Sequence, residues 1–290
     1  MSRRQAELLL AAVILTRSTG YLFSKAGLDS LGVFNLLAVR FLLAFLLLAI
    51  IFFKKLRTID PRDILRGAIV GVVFFAVMTF ELTALKTTDT STTSFLENTA
   101  IIFVPLIEAL LARRAPDKVT LISGAAALEG VALLTLTGSA FGFTTGELYC
   151  LCAAVLYAIA IIITDRFSRR GDGLMIGIMQ VGFIGILALA ASFIFEAPRL
   201  PSGGAEWGSV LALAIVCTCF GFTFQPVAQA HTGSETAGLF CALNPVFASV
   251  LGVVFLSETV TLTGVCGACL ILMSLLIPQL RGRSEHSKCL

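Results

Sequence analysis

Charge is what this sequence has least of. Only 13% of its 290 residues are Asp, Glu, Lys or Arg, against about 25% in an ordinary soluble protein. Histidine is nearly absent too. The two histidines, His231 and His286, lie beside no cysteine pair, so neither a zinc site nor any other metal site is expected. Both fall at or beyond the ends of apolar runs, which removes the base that an intramembrane serine protease needs. Gly171-Asp172-Gly173 superficially matches an aspartyl protease motif, but it sits in a turn without a second intramembrane aspartate. No GxxxxGK[ST] loop occurs, so ATP is not expected as the direct energy source. Long polar loops are missing, which leaves no room for receptor or effector domains. An enzyme, a cofactor and a nucleic-acid partner are therefore not expected.

What is present is apolar. Hydrophobic residues make up 57%, and mean hydropathy is +0.96 over 30.8 kDa. No soluble core of that size hides so much apolar surface. The eight cysteines fall mostly in apolar runs, as do Cys217, Cys219, Cys266 and Cys269. They read as small polarizable packing residues. A span needs about 20 mostly apolar residues, and ten windows meet that need. They are 5–28, 31–53, 63–86, 90–112, 118–138, 145–164, 173–196, 207–230, 235–257 and 260–280. Their breaks carry turn chemistry: Asp29-Ser30, Asp60-Pro61, Ala115-Pro116-Asp117, Gly171-Asp172-Gly173, Pro201-Ser202-Gly203-Gly204 and the uncharged turn at Gly142.

Lys and Arg prefer cytoplasmic loops. Alternate loops carry Arg3/Arg4, Lys54/Lys55/Arg57/Arg62/Arg66, Arg113/Arg114/Lys118, Arg166/Arg169/Arg170 and Arg281/Arg283/Lys288. The opposite loops offer Lys25, Lys86 and Arg199 beside Asp29, Glu206 and Glu258. Both termini are thus expected in the cytoplasm. The first span runs into Lys25 and Asp29 without a small-residue cleavage site, and reads as a retained helix.

The chain also matches itself at an offset of about 144, a repeat scale familiar from transporters. Phe80 meets Phe224, Ala84 meets Ala228, Thr88 meets Thr232, Thr92 meets Thr236, and Phe103 meets Phe247. Later the offset shortens to about 140, where Gly124 meets Gly264. Five spans per half is an odd number, so the second half must be threaded in the opposite sense. The expected fold is an all-α polytopic membrane protein. Its ten transmembrane helices form two inverted five-helix repeats, 1–140 and 141–290.

Several stretches resemble a known family. Residues 18–28 (STGYLFSKAGL), Val39-Arg40-Phe41, residues 102–106 (IFVPL) and residues 243–267, with Asn244-Pro245-Val246-Phe247, Ser257-Glu258 and Gly264, resemble the ten-span EamA-type exporters of the drug/metabolite transporter superfamily. Where the family usually has tryptophan-glycine, this chain has Arg17-Ser18, and the second-half counterpart is Tyr157. The resemblance implies an exporter working by alternating access.

Ionisable groups inside spans cost about 2.5–3.5 kcal/mol each on insertion scales, so each needs a reason. The first half holds Arg17, Arg40, Glu81, Glu97, Glu108 and Glu129. At 1.5 Å per residue, Arg17 lies about 12 Å from the outer end of its span, and Glu97, Arg40 and Glu129 about 10–14 Å, with Glu81 slightly shallower. Five charges converge on one slab. That pattern suits a substrate of mixed charge, or a proton-coupling carboxylate, for which Glu97 and Glu129 are the candidates. Internal ion pairs, for example Arg17 with Glu97, are the structural alternative. For Arg40, in the Arg-Phe pair shared with the family, a structural role is the stronger reading. Glu108 lies near the inner end, within reach of Arg113.

The expected substrate contacts are Arg17, Tyr21, Glu81, Glu97, Asn98, Tyr157, Gln225 and Asn244. Gln180 is a further uncharged candidate, although amides in spans often bond a neighbouring helix. Pro105, Pro226 and Pro245 should kink their helices, freeing carbonyls and giving alternating access a place to bend. Gly71, Gly124, Gly182, Gly252 and Gly264 mark close helix crossings. The sequence thus predicts a secondary transporter of small polar or zwitterionic metabolites such as amino acids, in a bacterial inner membrane. A small-molecule substrate, the bilayer and protons are its expected partners, and a monomer should suffice. The alternatives are a carrier of amphipathic cations or of nucleotide-type metabolites.

Overall fold

The computed structural model describes residues 1–28, 30–88, 90–113, 115–135, 144–247, 250 and 262–286. Asp29, Arg114, the turn at Gly142, Gly252, Ser257-Glu258 and Lys288 lie outside the described residues, as do the side chains of Thr92, Arg281, Arg283 and His286. All regular structure among the described residues is helical. The helices are α1 (Arg3–Leu28), α2 (Val33–Ile51), α3 (Pro61–Leu85), α4 (Thr90–Asn98), α5 (Ala100–Leu111), α6 (Lys118–Thr135), α7 (Thr145–Ser168), α8 (Gly173–Phe195), α9 (Gly204–Ala212), α10 (Thr223–Thr232), α11 (Ser234–Phe240) and α12 (Leu262–His286). Residues Leu213–Phe222 continue α9 into α10 as a π-helix. A single turn, Phe53–Leu56, follows α2.

Polar residues at the breaks set the helix starts. Asp60 accepts the Arg62 amide at 2.8 Å with Pro61 in the first turn, where the missing proline N–H costs nothing. Thr144 and Glu147 form a reciprocal capping box at α7. Asp172 accepts from Leu174 and Met175 at α8. The start of α2 is different, since Gly32 has no side chain to cap with. Instead the Glu196 carboxylate, far along the chain, accepts the amides of Phe34 and Asn35 at 3.3 and 2.9 Å. A carboxylate there also meets the positive end of the helix dipole.

Among the described residues, seven helices are long and apolar enough to cross a membrane, namely Arg3–Leu28, Val33–Ile51, Pro61–Leu85, Thr93–Leu111, Thr145–Ser168, Gly173–Phe195 and Gly204–Thr232. Leu262–Ser274 is a shorter apolar helix. The expected fourth span is broken between α4 and α5 at Thr99. There the side chains of Asn98 and Thr99 bond the carbonyls of Ser94 and Leu96, competing with the helical ladder. Of the expected ninth window, α11 and the helical residues 243–247 are described.

Packing relates the two halves. α1 lies against the π-helical segment and α10, while α7 lies against α3; α2 packs on α8, and α6 on α12. Glycines let these backbones approach. A Cβ on Gly177 would stand 2.2 Å from the Thr223 carbonyl oxygen, and one on Gly130 would stand 2.7 Å from that of Gly267. Gly71 and Gly182 are close crossings as expected, against Phe183 and Phe45, whereas Gly124 meets Ile101 only at ordinary contact distance. Between the layers, the fully buried rings of Phe41, Phe74 and Phe222 stack edge to face, with centroids 5.1 and 5.5 Å apart.

Each end of the bundle carries its own polar network. One joins Lys55 to Asp172 at 2.9 Å, Asp63 to Arg66 at 2.6 Å and Glu108 to Arg166 at 3.1 Å. The other gathers Glu196, Asn35, Arg199 and Glu206.

Candidate functional site

Helix periodicity places Arg17, Tyr21 and Ser24 on one face of α1, and that face lines a chamber. Arg40 of α2, Glu81 of α3, Glu97 of α4, Cys217 and Phe222 of the π-helical segment, and Asn244 complete the wall. The volume is about 20 Å³, and an adjoining space of about 10 Å³ is lined by Arg17, Glu97, Asn98, Tyr157 and Asn244. Each is near the room one water requires. Four of the five charges expected in one slab therefore meet here. The fifth does not: Glu129 is exposed on α6, because depth along a helix says nothing of which face a residue occupies. Without it, two guanidiniums and two carboxylates face one chamber.

Arg17 and Glu97 do not pair with each other. No ion pair joins them among the described residues, and each has other partners. The Arg17 guanidinium donates to the Tyr157 hydroxyl at 2.8 Å and to Gln225 Oε1 at 2.7 Å. It also lies 4.6, 5.1 and 5.9 Å from the ring centroids of Phe222, Tyr157 and Phe74, within cation–π range. Gly221 makes room for its stem, since a Cβ there would stand 2.7 Å from Arg17 Cγ. Tyr21 donates its hydroxyl to Glu97 Oε2, so that tyrosine orients the carboxylate.

Arg40 is bound within the wall, donating to Thr218 Oγ1 at 2.7 Å and to Cys217 Sγ at 3.0 Å. Thr218 can accept because its own proton goes to the Leu213 carbonyl five residues back, the spacing of a π-helix. Such segments often occur at functional sites. Among the described residues that line the chamber, two buried acceptors remain without partners, Glu81 Oε2 and Asn244 Oδ1. A buried acceptor left unmatched costs about 1–3 kcal/mol.

Other expected roles are placed differently. Gln180 does not line the chamber; it donates to the Phe222 carbonyl. That carbonyl is the one whose helical partner Pro226 cannot supply, so the freed group is capped by protein. Pro105 lies within α5 and Pro226 within α10; Pro245 falls in the helical residues 243–247. Asn98 donates to its own helix. Glu108 meets Arg166 and Ser234, at 3.1 and 3.0 Å, and not Arg113. Phe74, Phe222 and Thr218 were not singled out from the sequence, where Cys217 reads only as a packing residue. One signal for them existed: Phe74 precedes Glu81 by two helical turns and shares its face.

Apolar helices enclosing a buried chamber with charges of both signs define a polytopic integral membrane protein. The family model for the EamA-like transporter family matches the chain twice, over residues 4–136 and 144–277. The chain belongs to the EamA-like transporter family, within the drug/metabolite transporter superfamily, and is a transporter and not an enzyme. It is 29% identical over 287 residues to an uncharacterized transporter of Archaeoglobus fulgidus, covering 97% of this chain and 88% of the relative. It is 24% identical to the uncharacterized transporter YetK of Bacillus subtilis, covering 86% and 79%. A crystal structure of a protein with 21% identity shares the fold at a TM-score of 0.80, over 98% of this chain and 99% of that one.

Proposed function

We propose that the chain is a secondary transporter that exports small zwitterionic metabolites such as amino acids by alternating access. The observation that carries this reading is the chamber itself. Arg17 and Arg40 suit a substrate carboxylate, while the unmatched Glu81 Oε2 and Asn244 Oδ1 suit a substrate ammonium. The export direction rests on the resemblance to EamA-type exporters. A carrier of amphipathic cations is disfavoured, because the cage of Phe74, Tyr157 and Phe222 already holds the protein's own guanidinium. Glu97, oriented by Tyr21, is the carboxylate we assign to a substrate ammonium or a coupling proton.

The same reading takes ten spans, with both termini cytoplasmic, in two inverted repeats divided at 140/141. It places the chain in a bacterial inner membrane and makes one copy sufficient, since both halves lie in one chain. Support comes from the cationic loops and from the polar networks, each of which joins loops expected on one side.

The test is uptake of labelled amino acids into everted vesicles with and without a pH gradient. Glu97→Gln should abolish uptake at normal expression. Recovery of both stability and transport in the double variant Arg17→Met, Glu97→Gln would reduce the two residues to structural roles.

A further inference from the structure

A groove of about 430 Å³ runs between α2, α8 and the start of α9, and shares no residue with the central chamber. Val39, Leu42 and Leu46 of α2 face Leu189 of α8 across it, and Arg199 and Trp207 stand at its mouth. Leu46 is 56% and Leu189 37% exposed, so the groove opens sideways, where a membrane protein meets lipid. Its mouth lies at the helix ends, where tryptophan sits at the level of lipid headgroups.

An acyl chain gains little by moving from other acyl chains into an apolar groove, because lipid tails are as apolar as leucine. Any selectivity must then come from the headgroup. Arg199 keeps a 41% exposed side chain; it donates to the Ser30 carbonyl at 2.5 Å and lies 3.5 Å from Ser202 Oγ and 3.4 Å from Glu206 Oε1. A guanidinium and a carboxylate so placed complement a head with a phosphate and a primary ammonium. A choline head has no N–H for Glu206, and a net anionic head meets its repulsion.

We propose that this groove is a lipid site. One acyl chain lies along α2 and α8, with the phosphate of a phosphatidylethanolamine on Arg199 and its ammonium on Glu206. Asn35, which bonds Ser192, Ala197 and Arg199, also lines the groove. The lipid therefore braces the contact between α2 and the loop after α8.

Trp207 is the only tryptophan in the chain, so intrinsic fluorescence reports this site alone. The purified full-length protein is reconstituted with phosphatidylethanolamine, phosphatidylcholine or phosphatidylglycerol carrying brominated acyl chains. Half-quenching is expected at a mole fraction about fivefold lower for phosphatidylethanolamine, the effect of one hydrogen bond. Glu206→Gln should erase that preference over phosphatidylcholine, and Leu189→Phe, which narrows the groove, should weaken quenching by all three. Equal half-quenching by the three lipids, a preference for phosphatidylglycerol, or a preference that survives Glu206→Gln would each overturn the proposal. So would unchanged quenching in Leu189→Phe.

Discussion

At the residue scale, the chamber is ordered around a cation that no carboxylate touches among the described residues. Arg17 is held by a phenol, an amide and three rings, so its charge stays available to a substrate anion. The arrangement depends on Gly221. We expect Gly221→Ala to push Arg17 Cγ aside, destabilise by about 1–3 kcal/mol through overpacking and weaken substrate binding. Thermal unfolding and competition assays on one preparation will check both. The sequence made the depth of these residues legible but not their direction around each helix axis. Where a helix is apolar on nearly every face, as α2 is, no polar stripe marks the side that faces inward. That is why Glu129, at the expected depth, stands outside the chamber. It is also why Gln180 reads equally as cavity wall or as helix cap.

At the scale of the element, breaks written in turn residues were the most readable. Asp60-Pro61 and Asp172 start their helices where expected, and the capping box at Thr144 starts another. The interruption at Thr99 and the π-helical segment were not legible, because Asn and Thr side chains that bond their own helix often leave it unbroken. Pro226, Phe222 and Gln180 work as one unit. Gln180→Leu should leave the Phe222 carbonyl without a donor and destabilise by about 0.6–2 kcal/mol, the worth of such bonds in membranes. Its lesion should be repaired by Pro226→Ala, which restores the helical N–H; unfolding of the single and double variants in detergent compares them.

The Asp172 cap lends itself to a pH test. Burial alone would push its carboxyl up, but the Lys55 ammonium and the Leu174 and Met175 amides outweigh it and hold the group below the usual carboxylate range. A depressed carboxyl stabilises the fold above the unfolded value, near about pH 4. That stabilisation is lost as pH falls through the folded value. Lys55→Gln should therefore lower stability at neutral pH and leave it little changed in acid, where the Asp172 carboxyl is protonated with or without the lysine. Circular dichroism against pH measures it.

For the whole molecule, the halves are tied at both ends around a chamber with room for about one water in each of its two spaces. Glu108 of the first half holds Arg166 and Ser234 of the second, and Glu196 of the second half caps α2 of the first. Ligand sites usually need about 300–1,000 Å³, so loading must part at least one tie. A disulfide between Cys replacements of Glu108 and Ser234 should stop transport, and reduction should restore it. Continued transport in the oxidised protein would show that this end need not open.

In the inverted repeat we propose, Arg17 and Tyr157 are counterparts in the two halves, and their side chains bond each other. Equivalent positions can touch only where an axis relating the copies passes between them. Had the halves remained separate identical chains, the side chain at that point would have met its own double, arginine against arginine or tyrosine against tyrosine. Within one chain the two copies are free to differ at the axis, so that a donor faces an acceptor. A bond between unlike side chains is thus something a pair of identical subunits cannot place on that axis.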